Sequence, residues 1–261
     1  MAIINNITKE KCAKGEVTIG VIIWMSKSVD IGMMMKTCGY DWILIDTEHG
    51  TVDYDEAGQI AIAALGQGIT PIVRIPSVES HPSARVLDMG AQGIVLPHVE
   101  SAEKAREFVA TCKYPPQGRR SKAGNLPQAG FETLPLGELL PALNRETLLI
   151  TMIETPEAAE KADEIAAVEG IDILLIGTND LCIEMGISGQ PDHEKVEAVY
   201  EKVISACKRH GKTVGMAGAY DPSLVERRIR EGVRFVLGGA DSGFMMVSAK
   251  AQVDALRKIQ P

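Results

Sequence analysis

Residues Leu148–Leu181, LLITMIETPEAAEKADEIAAVEGIDILLIGTNDL, hold two apolar strands, each ending in a carboxylate. Leu149–Ile153 runs into Glu154, and Ile173–Gly177 runs towards Asp180. The segment between them reads as a helix with a clean start. Thr155 can cap it, Pro156 suits its first position, and Glu157 favours the positive end of its dipole. Two strands joined by a helix form a parallel β-α-β unit, with an acidic residue at the C-terminal end of each strand. In a parallel α/β barrel that end carries the chemistry. Two converging carboxylates suit a hard divalent cation such as Mg²⁺ or Mn²⁺. Helix capping by Glu154 and Asp180 is the competing explanation, and this stretch alone leaves both open.

The same rhythm extends in both directions. Upstream, strands are expected at Val17–Trp24, Trp42–Ile45, Pro71–Val73 and Gly93–Leu96, and helices at Asp30–Cys38, Asp55–Leu65, Pro82–Met89 and Ser101–Lys113. Downstream, the helix Glu194–His210 ends at Gly211. Strand Thr213–Met216, a short helix from Asp221-Pro222 to Arg230, strand Phe235–Leu237 and a final helix Ser242–Lys258 complete the series. Eight short strands alternating with helices favour a closed (β/α)₈ TIM barrel over an open doubly wound sheet. The length of 261 residues fits one such domain, residues 1–261. Tyr114–Arg145 breaks the pattern with YPPQGRRSKAGNLPQAG and reads as a long irregular segment.

Composition narrows the function classes. The chain is 45% hydrophobic but only 4% aromatic, so its core must be aliphatic. A net charge of −8 argues against a nucleic-acid or anionic-membrane surface. The N-terminus lacks a signal-peptide core, and no run approaches a membrane span, so a cytoplasmic location is expected. Five cysteines show no CxxC spacing, and Cys38, Cys112 and Cys207 sit in apolar helical stripes as reduced core residues. There is no GxGxxG after the first strand and no Walker A motif.

On a barrel, the strand ends gather Asp46, Glu48, His49, Arg74, Glu154 and Asp180 on one face. Glu154 and Asp180 can bind a metal through oxygen. Arg74 offers a fixed positive charge for an enolate or a carboxylate. His49 is the proton-transfer candidate, with Asp46 to orient it. Singly, each has a plainer reading, as a cap or a salt-bridge partner. No strand ends in a buried lysine, which disfavours Schiff-base chemistry.

The motifs DWILIDTEHG (Asp41–Gly50), PIVRIP (Pro71–Pro76), LDMGAQGIVLPHVESAEKAREFVATCKYPPQGRRS (Leu87–Ser121), MIETPEA (Met152–Ala158) and VEGIDILLIGTNDL (Val168–Leu181) together resemble the HpcH/HpaI aldolase family. The resemblance spans roughly Ile19 to Gly239 in order. It implies a class II pyruvate aldolase that uses Mg²⁺, Mn²⁺ or Co²⁺ and cleaves a 4-hydroxy-2-oxo acid to pyruvate and an aldehyde. It places the metal ligands on Glu154 and Asp180, a His–Asp dyad on His49 and Asp46, and the enolate-stabilising arginine on Arg74. Asp88 would help bind the aldehyde across a subunit contact, and Thr178 and Asn179 would contact substrate. A homotrimer or homohexamer with exchanged C-terminal helices is implied. Met152 stands where members often carry Gln, and Gly177-Thr178-Asn179-Asp180-Leu181 where they often read GPADL. A CoA-ester lyase, a decarboxylase or a weakly catalytic metabolite-binding protein on the same scaffold are the alternative expectations.

Overall fold

In the computed structural model, which describes residues 3–78 and 80–259, eight strands close into a parallel barrel in the order β1 to β8. They are β1 (Thr18–Ile23), β2 (Trp42–Asp46), β3 (Thr70–Arg74), β4 (Gly93–Leu96), β5 (Leu148–Ile153), β6 (Ile173–Gly177), β7 (Thr213–Ala217) and β8 (Val233–Ala240). Around them run α1 (Ile7–Ala13), α2 (Ile31–Thr37), α3 (Tyr54–Gly66), α4 (Ser80–Asp88), α5 (Ala102–Cys112), α6 (Leu136–Glu146), α7 (Pro156–Glu160), α8 (Ala162–Ala166), α9 (Thr178–Glu184), α10 (Glu194–His210), α11 (Pro222–Glu231) and α12 (Asp241–Arg257). The expected (β/α)₈ barrel is present.

Strand alternation builds two cores and aims the site. Trp42, Leu44, Ile72, Val95, Ile150, Met152 and Leu175 fill the barrel interior. Their neighbours Ile43, Ile45, Val73, Ile94, Leu149, Ile153 and Ile176 pack outward under the helices. Asp46, Arg74 and Glu154 each lie two residues beyond an interior residue, so the same period carries them to the inside of the mouth. The barrel floor is plugged by Trp42 stacked on Phe235, with ring centroids 3.9 Å apart. Gly20 makes that stack possible, because a Cβ there would stand 2.0 Å from the indole.

The local signals act as read. Thr155 Oγ1 accepts the Ala158 amide at 3.1 Å, with Pro156 opening α7. Asp53 and Glu56 form a reciprocal capping box on α3. Gly211 closes α10 with φ of 64°.

Three expectations need correction. Tyr114–Arg145 is not wholly irregular, for it contains a short 3₁₀ turn and α6. Gly137 and Pro141 mask that helix in the sequence, while Leu139 and Leu143 hold it by packing against Tyr114 and Leu126. The N-terminal helix α1 was not expected at all. It closes the far end of the barrel through Asn6, whose side-chain amide donates to Gln92 O at 3.0 Å and Glu146 O at 2.9 Å. Cys38 is exposed rather than in the core, because α2 buries Ile31 and Gly32 and leaves Met33, Met34 and Cys38 on its open side. Cys112 and Cys207 are buried as expected.

Candidate active site

Every group at the barrel mouth follows a strand: Trp24 after β1, Asp46 and Glu48 at and beyond the end of β2, Arg74 at the end of β3, His98 beyond β4, Glu154 after β5, Asp180 beyond β6 and Asp241 directly after β8. Arg74 is buried and forked onto Asp46. Its Nε donates to Oδ1 at 2.9 Å and its Nη2 to Oδ2 at 2.5 Å. Asp46 also accepts the Trp24 indole N–H at 2.7 Å and the Glu48 amide at 3.0 Å. Burial works to raise the Asp46 carboxyl, but the Arg74 guanidinium, the Glu48 amide and the indole outweigh it and hold the group below its ordinary value. For Arg74, burial opposes its charge, and the Asp46 carboxylate overcomes that effect.

Glu154 lies beside this pair, 3% exposed. Burial pushes its carboxyl up, the His98 amide partly opposes this, and the nearby Asp180 and Glu48 carboxylates add to the rise. The His98 backbone N–H donates to Glu154 Oε2 at 2.7 Å. The His98 ring spans two acids, with Nδ1 3.3 Å from Glu154 and Nε2 3.5 Å from Glu48. Its backbone is left-handed, with φ of 53°, an uncommon state for a residue with a side chain. Gly177 makes room for Glu154, since a Cβ there would stand 2.8 Å from its Cγ and 3.3 Å from the Met152 methyl. The Met152 methyl and the Glu154 side chain thus both lie against Gly177.

Several expected relationships take a different form. Asp46 meets His49 through the backbone, His49 N lying 3.4 Å from Oδ1. The carboxylate beside the His49 ring is Glu48, at 3.7 Å, because Asp46 is committed to Arg74 and Trp24. Thr178 is buried, and its hydroxyl pairs with Tyr200 OH at 2.8 Å, so its side chain is turned from the mouth. Asn179 and Asp180 are exposed at the start of α9. Asp88 ends α4, towards the far side of the barrel, and accepts from Arg120 at 2.6 Å; it is not brought to the mouth of its own chain. The buried lysine among the described residues is Lys113. It serves the carbonyls of Asn144 and Thr147 at the N-terminal end of β5, away from the mouth.

Trp24, His98 and Asp241 received no role from the sequence, although each follows a strand. The Pro97-His98 pair carried the same positional signal as Arg74. The Trp24 and Asp241 contacts join residues more than 200 positions apart and leave no local trace.

The carboxylate set suits a divalent cation. Glu48 Oε2 is buried without a hydrogen bond, Arg74 Nε lying 3.2 Å away but off the bonding direction. Glu154 is held in an acidic, desolvated cleft shaped by Gly177. Among the described residues no cluster of three or more His, Cys, Asp or Glu forms a complete metal cage.

The chain matches the family model for HpcH/HpaI aldolase/citrate lyase over residues 23–247. The chain belongs to this family. It is 37% identical to the 4-hydroxy-4-methyl-2-oxoglutarate aldolase tasA of Hapsidospora irregularis, with 100% of this chain and 98% of that protein aligned. It is 32% identical to the hydroxypyruvate/pyruvate aldolase of Roseobacter denitrificans, covering 94% and 95% of the two chains. The crystal structure of an HpcH/HpaI aldolase from Desulfitobacterium hafniense DCB-2 superposes with a TM-score of 0.92 at 31% identity, covering 97% of each chain. The chain is accordingly a carbon–carbon lyase of the aldolase type. Among the described residues no helix is long and apolar enough to cross a membrane.

Proposed function

We propose that this aldolase reversibly cleaves a 4-hydroxy-2-oxo acid into pyruvate and a carbonyl fragment at the mouth formed by Arg74, Glu154, Asp180 and His49. The observation that carries the reading is the buried Arg74 guanidinium beside a cleft of three carboxylates. The aldolase names of the relatives support the 2-oxo acid class.

Aldolases of this family generally depend on a divalent metal. Here Glu154 and Asp180 would hold Mg²⁺, Mn²⁺ or Co²⁺, which supplies Lewis-acid stabilisation of negative charge when bound. The chain's own residues account for the rest. Arg74, fixed by Asp46, faces the oxygen on which charge develops as C3–C4 breaks, and a preorganised cation costs no reorganisation at that moment. His49 takes the proton of the C4 hydroxyl. The C4–O bond becomes a carbonyl, and the electron pair of the broken bond enters the enolate of pyruvate. Protonation at C3 then releases pyruvate. Glu48, rather than Asp46, orients the His49 ring in this scheme.

The five unpaired cysteines support a reducing, cytoplasmic setting. A homotrimer or homohexamer is supported by α12, which buries no residue within its own chain and exposes Phe244, Met245, Met246 and Val247.

The test is exchange of the pyruvate methyl protons with solvent, together with cleavage of 4-hydroxy-2-oxo acids, before and after removal of divalent metal. Both activities should need metal and fall at least 100-fold in Glu154→Gln or Asp180→Asn. Full activity in either variant, or after chelation, overturns the reading.

A further inference from the structure

We propose that Trp24 and Asp241 are positioning residues for Arg74, forming a strap that ties the active-site arginine to the start of α12. The inference rests on the proposed role of Arg74. Asp241 opens α12 immediately after β8. Its Oδ1 accepts the Trp24 amide at 3.1 Å, and its Oδ2 accepts the amides of Met25 at 3.0 Å and Ser26 at 2.8 Å. Oδ1 also accepts the Ser242 amide at 2.7 Å. One carboxylate therefore fixes the backbone of the whole turn that follows β1.

The other side of that turn is fixed as well. The Trp24 carbonyl accepts the Thr51 amide at 2.9 Å. A Cβ on Gly50 would stand 3.0 Å from that carbonyl and 2.5 Å from the carbonyl of Asp46, so the three backbones are in close contact. Between these anchors the indole projects inward and donates to Asp46 Oδ2, the oxygen that also receives Arg74 Nη2. The order is Asp241, the Trp24 backbone, the Trp24 indole, Asp46 and then Arg74.

Two physical points give this arrangement a function beyond holding a loop. The Arg74 fork and the Glu48 amide orient the Asp46 carboxylate from β3 and β2, and the indole on Oδ2 adds a donor from a third element, the turn after β1. The arginine then presents one fixed edge to the mouth, which is what preorganised charge stabilisation requires. In addition, the anchor of the strap is the first residue of a helix that buries none of its residues and meets its own chain through Phe244, against Tyr40 and Gly239, so movement of α12 reaches Arg74 through Asp241.

The test uses the full-length, metal-loaded protein labelled with 5-fluorotryptophan. The chain has two tryptophans, and loss of a signal in Trp24→Phe assigns its ¹⁹F resonance. Trp24→Phe keeps the ring and removes the donor. We expect it to lower the kcat for pyruvate methyl exchange at least fivefold while KM changes less than twofold. Asp241→Asn should shift the Trp24 resonance and lower kcat in the same direction. The double variant should be no slower than Trp24→Phe alone, because both act through one path. An unchanged kcat in Trp24→Phe, an unmoved Trp24 resonance in Asp241→Asn, or effects that multiply in the double variant overturns the proposal. If Trp24→Phe does not fold, the Trp24 resonance is assigned as the one that shifts between H₂O and D₂O, since Trp42 is fully buried, and the resonance and kcat of Asp241→Asn decide alone. If the wild type turns over no 2-oxo acid, the proposed function fails, and the resonance shift still decides whether Asp241 sets the position of Trp24.

Discussion

Arg74 and Asp46 form a buried two-point ion pair, with Nε to Oδ1 at 2.9 Å and Nη2 to Oδ2 at 2.5 Å. Neither can be removed without stranding the other, so Asp46→Asn and Arg74→Leu should each cost about 3–5 kcal/mol in urea unfolding. Arg74→Lys should fold better than Arg74→Leu yet lose activity by about 100-fold, because a point charge cannot hold the fork. The pH dependence follows from the lowered Asp46 carboxyl. Its contribution is complete above the unfolded value of about 3.9 and is lost as pH falls through the lower folded value. The acid limb of the wild-type stability curve should therefore flatten in Asp46→Asn.

Glu154 should behave in the opposite sense. Its carboxyl is raised by burial, so ionising it opposes folding, and the metal-free protein should gain stability as pH falls through that raised value. Glu154→Gln should raise the metal-free Tm at neutral pH and abolish the Tm rise that Mn²⁺ gives the wild type, both measured by calorimetry. Gly177→Ala, which forces a Cβ against the Glu154 Cγ, should weaken the same Mn²⁺ response.

His98 combines a left-handed backbone with an amide bonded to Glu154. His98→Gly should therefore be at least as stable as His98→Ala, by about 0.5–1 kcal/mol in urea unfolding. Equal or reversed stabilities would show that the left-handed backbone at position 98 imposes no such preference.

Thr178 and Tyr200 share a buried hydroxyl pair at 2.8 Å. Tyr200→Phe should cost about 1–3 kcal/mol by leaving the Thr178 hydroxyl unpartnered. Thr178→Ser should keep both stability and KM for pyruvate within twofold, since serine retains the hydroxyl that pairs with Tyr200.

The open apolar face of α12 carries the assembly proposal. Met246 and Val247 are 65% and 72% exposed. Met246→Asp with Val247→Asp should shift the protein to smaller species in sedimentation velocity with little loss of monomer helicity by circular dichroism. Retention of the wild-type mass would remove α12 from the interface.

Much of this protein could be read directly from its sequence. Hydrophobic runs of four to six residues, caps such as Thr155 with Pro156, and terminators such as Gly211 are local signals, and a parallel β-α series has few ways to close. Their places at strand ends put Asp46, Arg74 and Glu154 on one face of the barrel, and the fixed side-chain period of two turns all three to the inside of the mouth. Helix α6 was hidden, as Pro141 and Gly137 spoil its local propensity and only packing on Tyr114 and Leu126 restores it.

Partner choice at the mouth was decided by tertiary structure alone. Asp46 could have oriented His49, three residues away, but the fold brings Arg74 and the Trp24 indole closer, and a carboxylate has few lone pairs to share. The Thr178 hydroxyl is paired because α10 brings Tyr200 to it. Asp241 and Trp24 are 217 residues apart, and only closure of β8 against β1 makes them neighbours. Sequence by itself determined that Asp46, Glu48, Arg74 and Glu154 reach the barrel mouth, because each stands at or just beyond the end of a strand. Which of them pair depends on competition among groups that only the closed barrel brings within hydrogen-bond range.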